Sequence, residues 1–457
     1  MYLKFNIDDK PGRGALLLYG LQWLMICIPV VLTSTIVAPP GGEVFFTQKL
    51  FAICGLTIII QVLLGHRMPL VAGPAAVLLV GTKMVLPDPK APDYVAGLAD
   101  YATDFADAAS TIYPSMIIGG LIVTLLAAVG AIKHIQKIFT PRIVASIVLL
   151  IAFTLIQPIV GLIFADKEHI GIAIAASIIT LIVMAWANKV FKGVWKSTVV
   201  ILAMIVGTLL YYSYAGFPEE FKQDSKETSL FIESVKLDVG VILAFVFSYI
   251  ALIINQVGSV QALGKFVGAD NMENRQKRGL LMTGIMNIAS GATGVLGPVD
   301  YSLSPGVVAS TSCASRYAIL PAAAAMVVLA FFPDVIAVLL TIPQPVMGIV
   351  LLFLMSTQVA AGLELINSTK AVSSFRDGLV LGIPIMLTFV LSFAPQEAKE
   401  AIPEIIRPIL SNGFVMGIIV VLILEHFVLR EAENGKLRSP ILHRLPQLFR
   451  QLFLHFS

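Results

Sequence analysis

Polar side chains and helix-breaking residues fall together between residues 291 and 316, inside an otherwise apolar part of the chain. Pro298 and Pro305 each remove a backbone N–H and interrupt a regular helix. The polar residues between or beside these breaks are Asp300, Tyr301, Ser302 and Ser304. Irregular backbone at membrane depth persists only where protein buries it or a water-filled cavity lines it. The segment therefore predicts a small-molecule site on an extended piece over roughly 298–303 and a half-helix from about Pro305. The alternative is a re-entrant or surface loop without a ligand.

A second break lies in the third apolar segment, where Gly73 and Pro74 follow one another. Paired interruptions at corresponding positions of two halves are the best indication of a transport site in a sequence. A half-helix after each break would present backbone amides near Ala75, Gly306 and Val307, at the positive end of a helix dipole. Gly73 and these amides are therefore predicted to line the site.

The eighth apolar segment carries amides and a hydroxyl at membrane depth. Asn255 and Ser259 are four residues apart and share one helix face. Polar side chains in such a segment either bond a neighbouring helix or face a cavity. Asn255 offers two donors and an acceptor, enough for paired hydrogen bonds to a small polar molecule. We predict that it binds substrate by paired hydrogen bonds; structural bonding between helices is the alternative.

The composition is that of a membrane protein. The 457 residues are 57% hydrophobic and 13% charged, whereas a soluble domain carries about 25% charged residues. No polar stretch is long enough for a separate soluble domain. The three cysteines show no paired spacing, so neither a disulfide framework nor a metal site is predicted. No cofactor is expected, and no histidine is assigned a role.

Apolar segments of spanning length predict an all-α protein with fourteen transmembrane segments. Lys and Arg concentrate in alternate loops, which places both termini in the cytoplasm of a multi-pass cell-membrane protein. Fourteen segments divide into two halves of seven, and an odd number makes the second half inverted relative to the first. Residues 430–457 mix apolar and basic side chains and predict an amphipathic cytoplasmic tail.

Several motifs together resemble the nucleobase–ascorbate transporter family, which includes the uracil and xanthine permeases. They are Gly-Leu-Gln-Trp at 20–23, Tyr-Ser-Leu-Ser-Pro-Gly-Val-Val-Ala-Ser-Thr at 301–311, Ser-Arg-Tyr at 315–317, Phe-Pro at 332–333 and Ile-Pro-Gln-Pro-Val-Met-Gly at 342–348. The resemblance covers nearly the whole chain. It implies a core domain over about 14–131 and 237–332 that rocks against a gate domain over about 143–215 and 343–429. It also implies a homodimer in the lipid bilayer.

The chain departs from the family pattern where substrate is usually held. Leu303 and Ser304 replace the family's acidic or amide residue and its Asn, and Trp23 replaces a His. Asn255 takes the position of the family's glutamate, and Ser259 that of a His or Asp. The remaining chemistry is neutral, and Tyr301 or Phe353 could stack on a flat ring.

The function expected from these features is secondary active transport of uracil, xanthine or a related base. An anion transporter on the same fold, a facilitative transporter and a non-transporting membrane protein are the alternatives. An enzyme or a nucleic-acid partner is not expected. The matched positions lack the family's carboxylates, so the predicted coupling residue, for a proton or another cation, is Asp300.

Overall fold

The fold is described from a computed structural model. It describes residues 3–86, 98–130, 140–165, 167, 170–191, 194–216, 229–301, 304–395, 397–398, 401–403 and 407–429. The predicted amphipathic tail at 430–457 lies outside these residues, as do Ser302 and Leu303 of the broken tenth segment.

Helices make up most of the described chain. In the first half they are α1 (Arg13–Leu32), α2 (Glu43–Leu63), α3 (Ala76–Val85), α4 (Leu98–Ala128), α5 (Pro141–Thr154), α6 (Ile156–Ile163), α7 (Ile170–Val190) and α8 (Val194–Ala215). In the second half they are α9 (Val239–Val267), α10 (Met272–Ala292), α11 (Ser304–Thr311), α12 (Leu320–Leu329), α13 (Pro333–Leu340), α14 (Gln344–Thr369), α15 (Phe375–Ser392), α16 (Arg407–Leu410) and α17 (Gly413–Ile423). Short 3-10 turns precede α2 and α12 at Thr35–Val37 and Arg316–Ile319, and α17 continues as a π-helix over Leu424–Val428.

Local sequence explains where several helices begin. Thr140 accepts a hydrogen bond from the Ile143 amide, and Pro141 occupies the first helical position of α5. Asp238 caps α9 in the same way. Ser374 and Asp377 form a reciprocal capping box at the start of α15. These side chains satisfy amides that would otherwise be left without partners at a helix end.

Seven continuous helical stretches within the described residues are long and apolar enough to cross a membrane. They are Arg13–Val37, Glu43–Leu63, Phe105–Ala128, Pro141–Ile163, Val239–Val267, Gln344–Thr369 and Phe375–Ser392. The stretch Arg316–Leu329 with Pro333–Leu340 would be an eighth, although it bends by 99°. The protein is therefore a predominantly helical, multi-pass membrane protein, as its composition predicts.

Two short strands interrupt the helical architecture. β1 is Ala72–Pro74 and β2 is Pro298–Asp300, and they pair antiparallel with Gly73 opposite Val299. All their residues are buried. Each strand leads into a short helix, β1 into α3 and β2 towards α11. The extended pieces and half-helices expected from the two breaks are thus confirmed, with β2 shorter than the stretch 298–303.

The helices pack in two sets around these strands. In the first set, α4 packs on α10, and both α1 and α2 pack on α12. Helix α9 contacts the helices α3, α4, α10 and α11 and also the strand β2. In the second set, α5 contacts α14, α15 and α17, while α7 and α8 contact each other and α14. The sets meet where α1 and α11 reach α8 and where α3 and α9 reach α5. The strands therefore lie inside the first set.

Candidate functional site

The carboxylate of Asp300 is buried at the end of β2, with only 1% of the residue exposed. Gln256 of α9 holds it from two directions. Its Nε2 donates to Asp300 Oδ2, and its Oε1 accepts from the Asp300 backbone N–H at 2.8 Å. Asp300 Oδ1 has no hydrogen-bond partner among the described residues. One amide side chain thus fixes both the strand end and half of the carboxylate.

His66, in the loop after α2, approaches the same carboxylate and is fully buried. Its Nε2 lies 3.1 Å from Asp300 Oδ2, which is ion-pair distance, although the N–H does not point along a hydrogen bond. Its Nδ1 accepts the Met68 backbone N–H at 3.0 Å. Because Nδ1 accepts this bond, the ring hydrogen lies on Nε2, the nitrogen beside Asp300.

A buried side-chain amide anchors the backbone of β2 beside this carboxylate. Asn287 of α10 donates to the carbonyls of Thr283 and Pro298, both at 2.8 Å. Its Oδ1 accepts the hydroxyl of Tyr249, a residue of α9, at 3.0 Å. Asn287 is fully buried, so these bonds satisfy an amide that would be costly to leave unpaired. The strand is therefore fixed from α9 and α10 together.

Two hydroxyl groups join the broken segments to each other. The Tyr301 hydroxyl donates to the Pro74 carbonyl at 2.6 Å, and its amide donates to the Val71 carbonyl at 2.8 Å. The Ser304 hydroxyl accepts the Val71 amide at 3.0 Å and donates to the Tyr301 carbonyl at 3.1 Å. Gly73 permits this approach, because a Cβ there would lie 2.4 Å from Val30 Cγ1.

A cleft opens where the broken segments face the second set of helices. In this conformation its free volume is about 10 Å³, room for about one water molecule. One wall consists of Val30, Thr33, Ser34, Pro74, Ala76, Leu79 and Tyr301, and the other of Leu155, Leu351, Leu354 and Met355. Both walls are mainly apolar, and Tyr301 offers an aromatic ring. In this conformation the cleft is too small for a base, so a flat and largely uncharged molecule would enter it only when its two walls move apart.

The two residues predicted on the eighth segment, Asn255 and Ser259, differ in how deeply they are buried. Asn255 on α9 is half-buried and makes no hydrogen bond to another described residue. Ser259 is buried, and its hydroxyl is without a hydrogen-bond partner in the described chain. Gln256, between them in sequence, is the residue that contacts β2. None of the three is among the residues that line the cleft.

Other predicted site residues are committed to the scaffold in this conformation. The Ala75 amide donates to the Gly297 carbonyl at 2.8 Å, so it is occupied. Gly306 and Val307 lie in the first turn of α11, where Val307 is buried. Phe353 packs beside Met184, Ala187 and Val199 of α7 and α8, away from the cleft, while its neighbours on α14 line it.

His66 and Gln256 are the residues that sequence reasoning missed. His66 follows the apolar helix α2 directly and precedes Arg67, a position typical of a solvated loop. Gln256 could have been considered from the sequence, because it is a second amide next to Asn255 in an apolar segment. Among the described residues, no group of three or more His, Cys, Asp or Glu could hold a metal ion.

The loops beyond His66 form the basic end of the site. The Arg275 guanidinium donates to the carbonyls of His66 and Arg67, both at 3.1 Å, and pairs with Asp270 at 2.8 Å. Its hydrogen bond and charge lower the pKa of the exposed Asp270 carboxyl. Arg275 therefore links the connection between α9 and α10 to the loop that carries His66.

Comparison with known proteins agrees with this architecture. A model described as "Permease family", for xanthine and uracil permeases, matches residues 14–397. CPE0397 of Clostridium perfringens, named as a purine permease, is 26% identical over 95% of this chain and 94% of its own length. The uric acid transporter UacT of Escherichia coli is 21% identical, over 92% and 88%. The xanthine permease XanQ of Escherichia coli is 23% identical, over 68% and 70%.

Solved structures share the fold at much lower sequence identity. The transmembrane domain of the cyanobacterial bicarbonate transporter BicA superposes with a TM-score of 0.59 at 14% identity, over 85% of this chain and 98% of that domain. Murine Slc26a9, an anion transporter in the inward-facing state, gives 0.59 at 13% identity, over 90% and 68%. The motifs, the paired broken segments and the match over residues 14–397 agree, and the chain belongs to the nucleobase–ascorbate transporter family of xanthine and uracil permeases.

Proposed function

We propose that the chain is a secondary active transporter of a nucleobase-like ring such as uracil, xanthine or a related purine or pyrimidine. The observation that carries this proposal is the apolar cleft beside the paired strands, with Tyr301 in its wall. A flat base can stack on an aromatic ring, and its polar edge needs only a few directed hydrogen bonds. Relatives that cover most of this chain are named for purine, uric acid and xanthine transport.

The substrate edge would be recognised by neutral groups. Asn255 is the strongest candidate, because its amide lacks a hydrogen bond to any described residue and adjoins Gln256 on α9. Ser259 is one turn further along α9, with a free hydroxyl in the described chain. Tyr301 would contact the face of the ring. Ser304 and Gly73 would act indirectly, by holding the two broken segments together.

Alternating access would arise from motion between the two sets of helices. We assign α1–α4 and α9–α13 to a core domain and α5–α8 and α14–α17 to a gate domain. The cleft lies between these sets, with Pro74 and Tyr301 on one side and Leu354 and Met355 on the other. A displacement of the core against the gate would carry the strands and the substrate together, in an elevator or rocking motion.

The proposed topology has fourteen segments in two inverted repeats of seven. Counting β1 with α3, α5 with α6 and β2 with α11, the segments are α1, α2, α3, α4, α5, α7, α8, α9, α10, α11, α12, α14, α15 and α17. The bent helix α13 would then lie outside the count. The antiparallel pairing of the third and tenth segments is the relation that an inverted repeat requires.

Both termini are proposed to lie in the cytoplasm, and the protein to form a homodimer, as the family resemblance implies. Residues 4–9 run beside 312–316, with the Arg316 amide donating to the Ile7 carbonyl at 2.9 Å. Arg316 also pairs with Asp8 at 2.8 Å and donates to the Val62 carbonyl at 3.1 Å. The N-terminal segment thus shares one end of the molecule with the basic loops, in agreement with the positive-inside rule.

An anion transporter is the second candidate, because the structural neighbours BicA and Slc26a9 are named as transporters of bicarbonate and of anions. The half-helices α3 and α11 would favour negative charge at their N-termini. Against this, the anion transporters match at only 13–14% identity, whereas relatives at 21–26% identity are named for purine, uric acid and xanthine transport. We therefore favour an uncharged base.

Uptake by reconstituted protein separates these candidates. Vesicles with purified protein would receive labelled uracil, xanthine, sulfate or bicarbonate, with protein-free vesicles as the control. We expect saturable uptake of at least one base, and competition by other bases but not by either anion. Saturable sulfate or bicarbonate uptake without base uptake would assign the chain to the anion transporters. No saturable uptake of any of the four would leave the proposal without support.

A further inference from the structure

The charges around Asp300 do not balance. Asp300 is 1% exposed, and the ring of His66 beside it has Nδ1 occupied as the acceptor of the Met68 amide, which leaves Nε2 to carry the ring hydrogen. Gln256 contributes only a neutral amide. A buried carboxylate without a positive partner is costly, and a protein commonly relieves that cost by binding a proton or a cation. The cluster of Asp300, His66 and Gln256 is therefore one positive charge short.

The side chains that hydrogen-bond β2 in the described part of the chain, Gln256 and Asn287, carry no positive charge. β2 packs against β1, α2, α9 and α10. From α10, the nearest polar partner of β2 is the neutral Asn287, which bonds the Pro298 carbonyl. The hydroxyl of Tyr301 is committed to the Pro74 carbonyl. Arg275 is bonded to backbone carbonyls on the far side of His66 and to Asp270. Its charge is thus shared with an exposed acid rather than with Asp300.

The geometry selects a proton over a metal cation. Gln256 Nε2 donates a hydrogen bond to Asp300 Oδ2 and His66 Nε2 lies 3.1 Å from the same oxygen, so two nitrogens rather than oxygens surround it, which disfavours a metal ion there. A hard cation such as Na⁺ needs several oxygen ligands. Oδ1 is the free acceptor of this carboxylate in the described chain. A proton on His66 Nδ1 would have to break the bond from the Met68 amide.

We propose that Asp300, Gln256 and His66 form a binding site for one proton, carried on Asp300 Oδ1, and that this proton couples transport to the proton gradient. The proposal rests on the proposed transport of a base. Protonation turns a buried anion into a neutral acid beside β2, and Tyr301, the next residue, lines the substrate cleft. Gln256 links the change to α9, because it bonds both the carboxylate and the amide of Asp300.

The decisive experiment compares accumulation in vesicles with the membrane potential clamped and the lumen one pH unit more alkaline than the outside. One proton per neutral base allows about tenfold accumulation per pH unit. We expect wild type to accumulate xanthine or uracil towards that limit and Asp300→Asn to stop at equal concentrations. The matched control is Asp334→Asn, an exposed acid at the start of α13, which should accumulate as wild type does. Wild-type accumulation by Asp300→Asn would overturn the proposal, as would accumulation driven by a Na⁺ gradient alone.

A second variant keeps the test decisive if Asp300→Asn folds poorly. Gln256→Glu has nearly the same shape and places a second carboxylate against Asp300. Two close carboxylates hold a shared proton more tightly. Proton-driven uptake falls as the pH rises and the site loses its proton, so this fall should move to higher pH, by about one unit or more. An unchanged pH profile would contradict the assignment.

Infrared difference spectroscopy tests proton binding without any substrate. A pH step on wild-type protein in lipid protonates many of the 28 Asp and Glu side chains, so the readout is the difference between variants. The carbonyl-stretch component of the buried Asp300 carboxyl should be missing from the Asp300→Asn spectrum and present in the Asp334→Asn spectrum. The same band in Asp300→Asn would overturn the proton site. If wild type transports no base but shows the band, the proposed function fails while the proton site stands.

Discussion

At the scale of single residues, the side chains around the broken segments fall into two groups: those that hold the strands in place and those that are available to bind a ligand. Hydrogen bonds to the two broken segments and to Asp300 occupy the side chains of Gln256, Ser304 and Tyr301. Asn255 and Ser259 have side-chain groups without partners in the described chain. A binding site requires both kinds, because groups that meet a ligand must themselves be positioned by others.

Tyr301→Phe tests the holding role. The change removes the donor that the Pro74 carbonyl receives across the two broken segments, and we expect a loss of stability of about 1–3 kcal/mol. Thermal unfolding in detergent, followed by fluorescence, measures it. Tyr19→Phe is the control, since Tyr19 is half-buried on α1 and its hydroxyl bonds no described residue. Equal unfolding temperatures for the two variants would show that the Tyr301 hydroxyl does not stabilise the paired broken segments.

Asn255→Ala tests the binding role. Loss of a paired amide contact should weaken the affinity for the transported base by about 5- to 150-fold, or roughly 1–3 kcal/mol, with thermal stability unchanged. Competition for uptake gives the affinity. Gln261→Ala, an amide further along α9, should leave affinity within about twofold. If Asn255→Ala binds the base as tightly as wild type does, Asn255 has a structural role and does not contact the substrate.

Residue types predicted only part of this chemistry. Tyr301, Ser304 and Asp300 could be found because they sit beside prolines in an apolar segment. His66 could not, because its burial depends on a contact between the end of α2 and a strand much later in the chain. Gln256 and Asn255 are adjacent amides, and sequence alone does not determine which helix face meets β2.

At the scale of elements, a two-stranded pair replaces helical hydrogen bonds where two segments are broken. The pairing satisfies backbone groups that would otherwise be exposed to an apolar environment. Its position depends on small residues at close approaches. A Cβ at Gly297 would lie 1.8 Å from Asn287 Oδ1, in the network that fixes β2. The breaks themselves were predictable from Gly and Pro, whereas the register of the two strands was not.

Gly297→Ala should therefore disturb the strands. We expect a loss of stability of at least about 1–3 kcal/mol from overpacking, together with impaired transport, because Asn287 must move away from the Pro298 carbonyl. The control is Gly258→Ala in the interior of α9, where an added Cβ meets nothing within 4 Å. That change should be neutral or slightly stabilising, since alanine favours a helix. Both are measured by thermal unfolding and uptake, and equal behaviour would contradict the close packing described for β2.

At the scale of the whole molecule, the cleft belongs to two sets of helices rather than to either one. The family resemblance implied this division, while composition and charge alone could only count apolar segments. The residues of α14 that line the cleft also could not be identified from sequence: Phe353 was the predicted aromatic, and the structure presents Leu351, Leu354 and Met355 instead.

Leu354→Trp tests whether the cleft is the transport path. The larger side chain should crowd the wall opposite Tyr301 and reduce uptake about tenfold or more, because it obstructs the space that a base must enter between the two sets of helices. Leu363→Trp on the same helix is the control, because Leu363 is 56% exposed and lies outside the cleft. Uptake by Leu354→Trp at the rate of the control variant would place the path elsewhere.

The proposed function depends most directly on where the base binds. The most direct measurement is a structure by electron cryo-microscopy of the full chain in lipid nanodiscs, with the base that the uptake experiment identifies at a saturating concentration. We expect density for a flat ring between the paired strands and α14, in contact with Tyr301, and a shift of α9 that brings Asn255 from outside the present cleft lining to within hydrogen-bond distance of the ring. A base bound outside this cleft, or strands that separate from each other when the base binds, would contradict it.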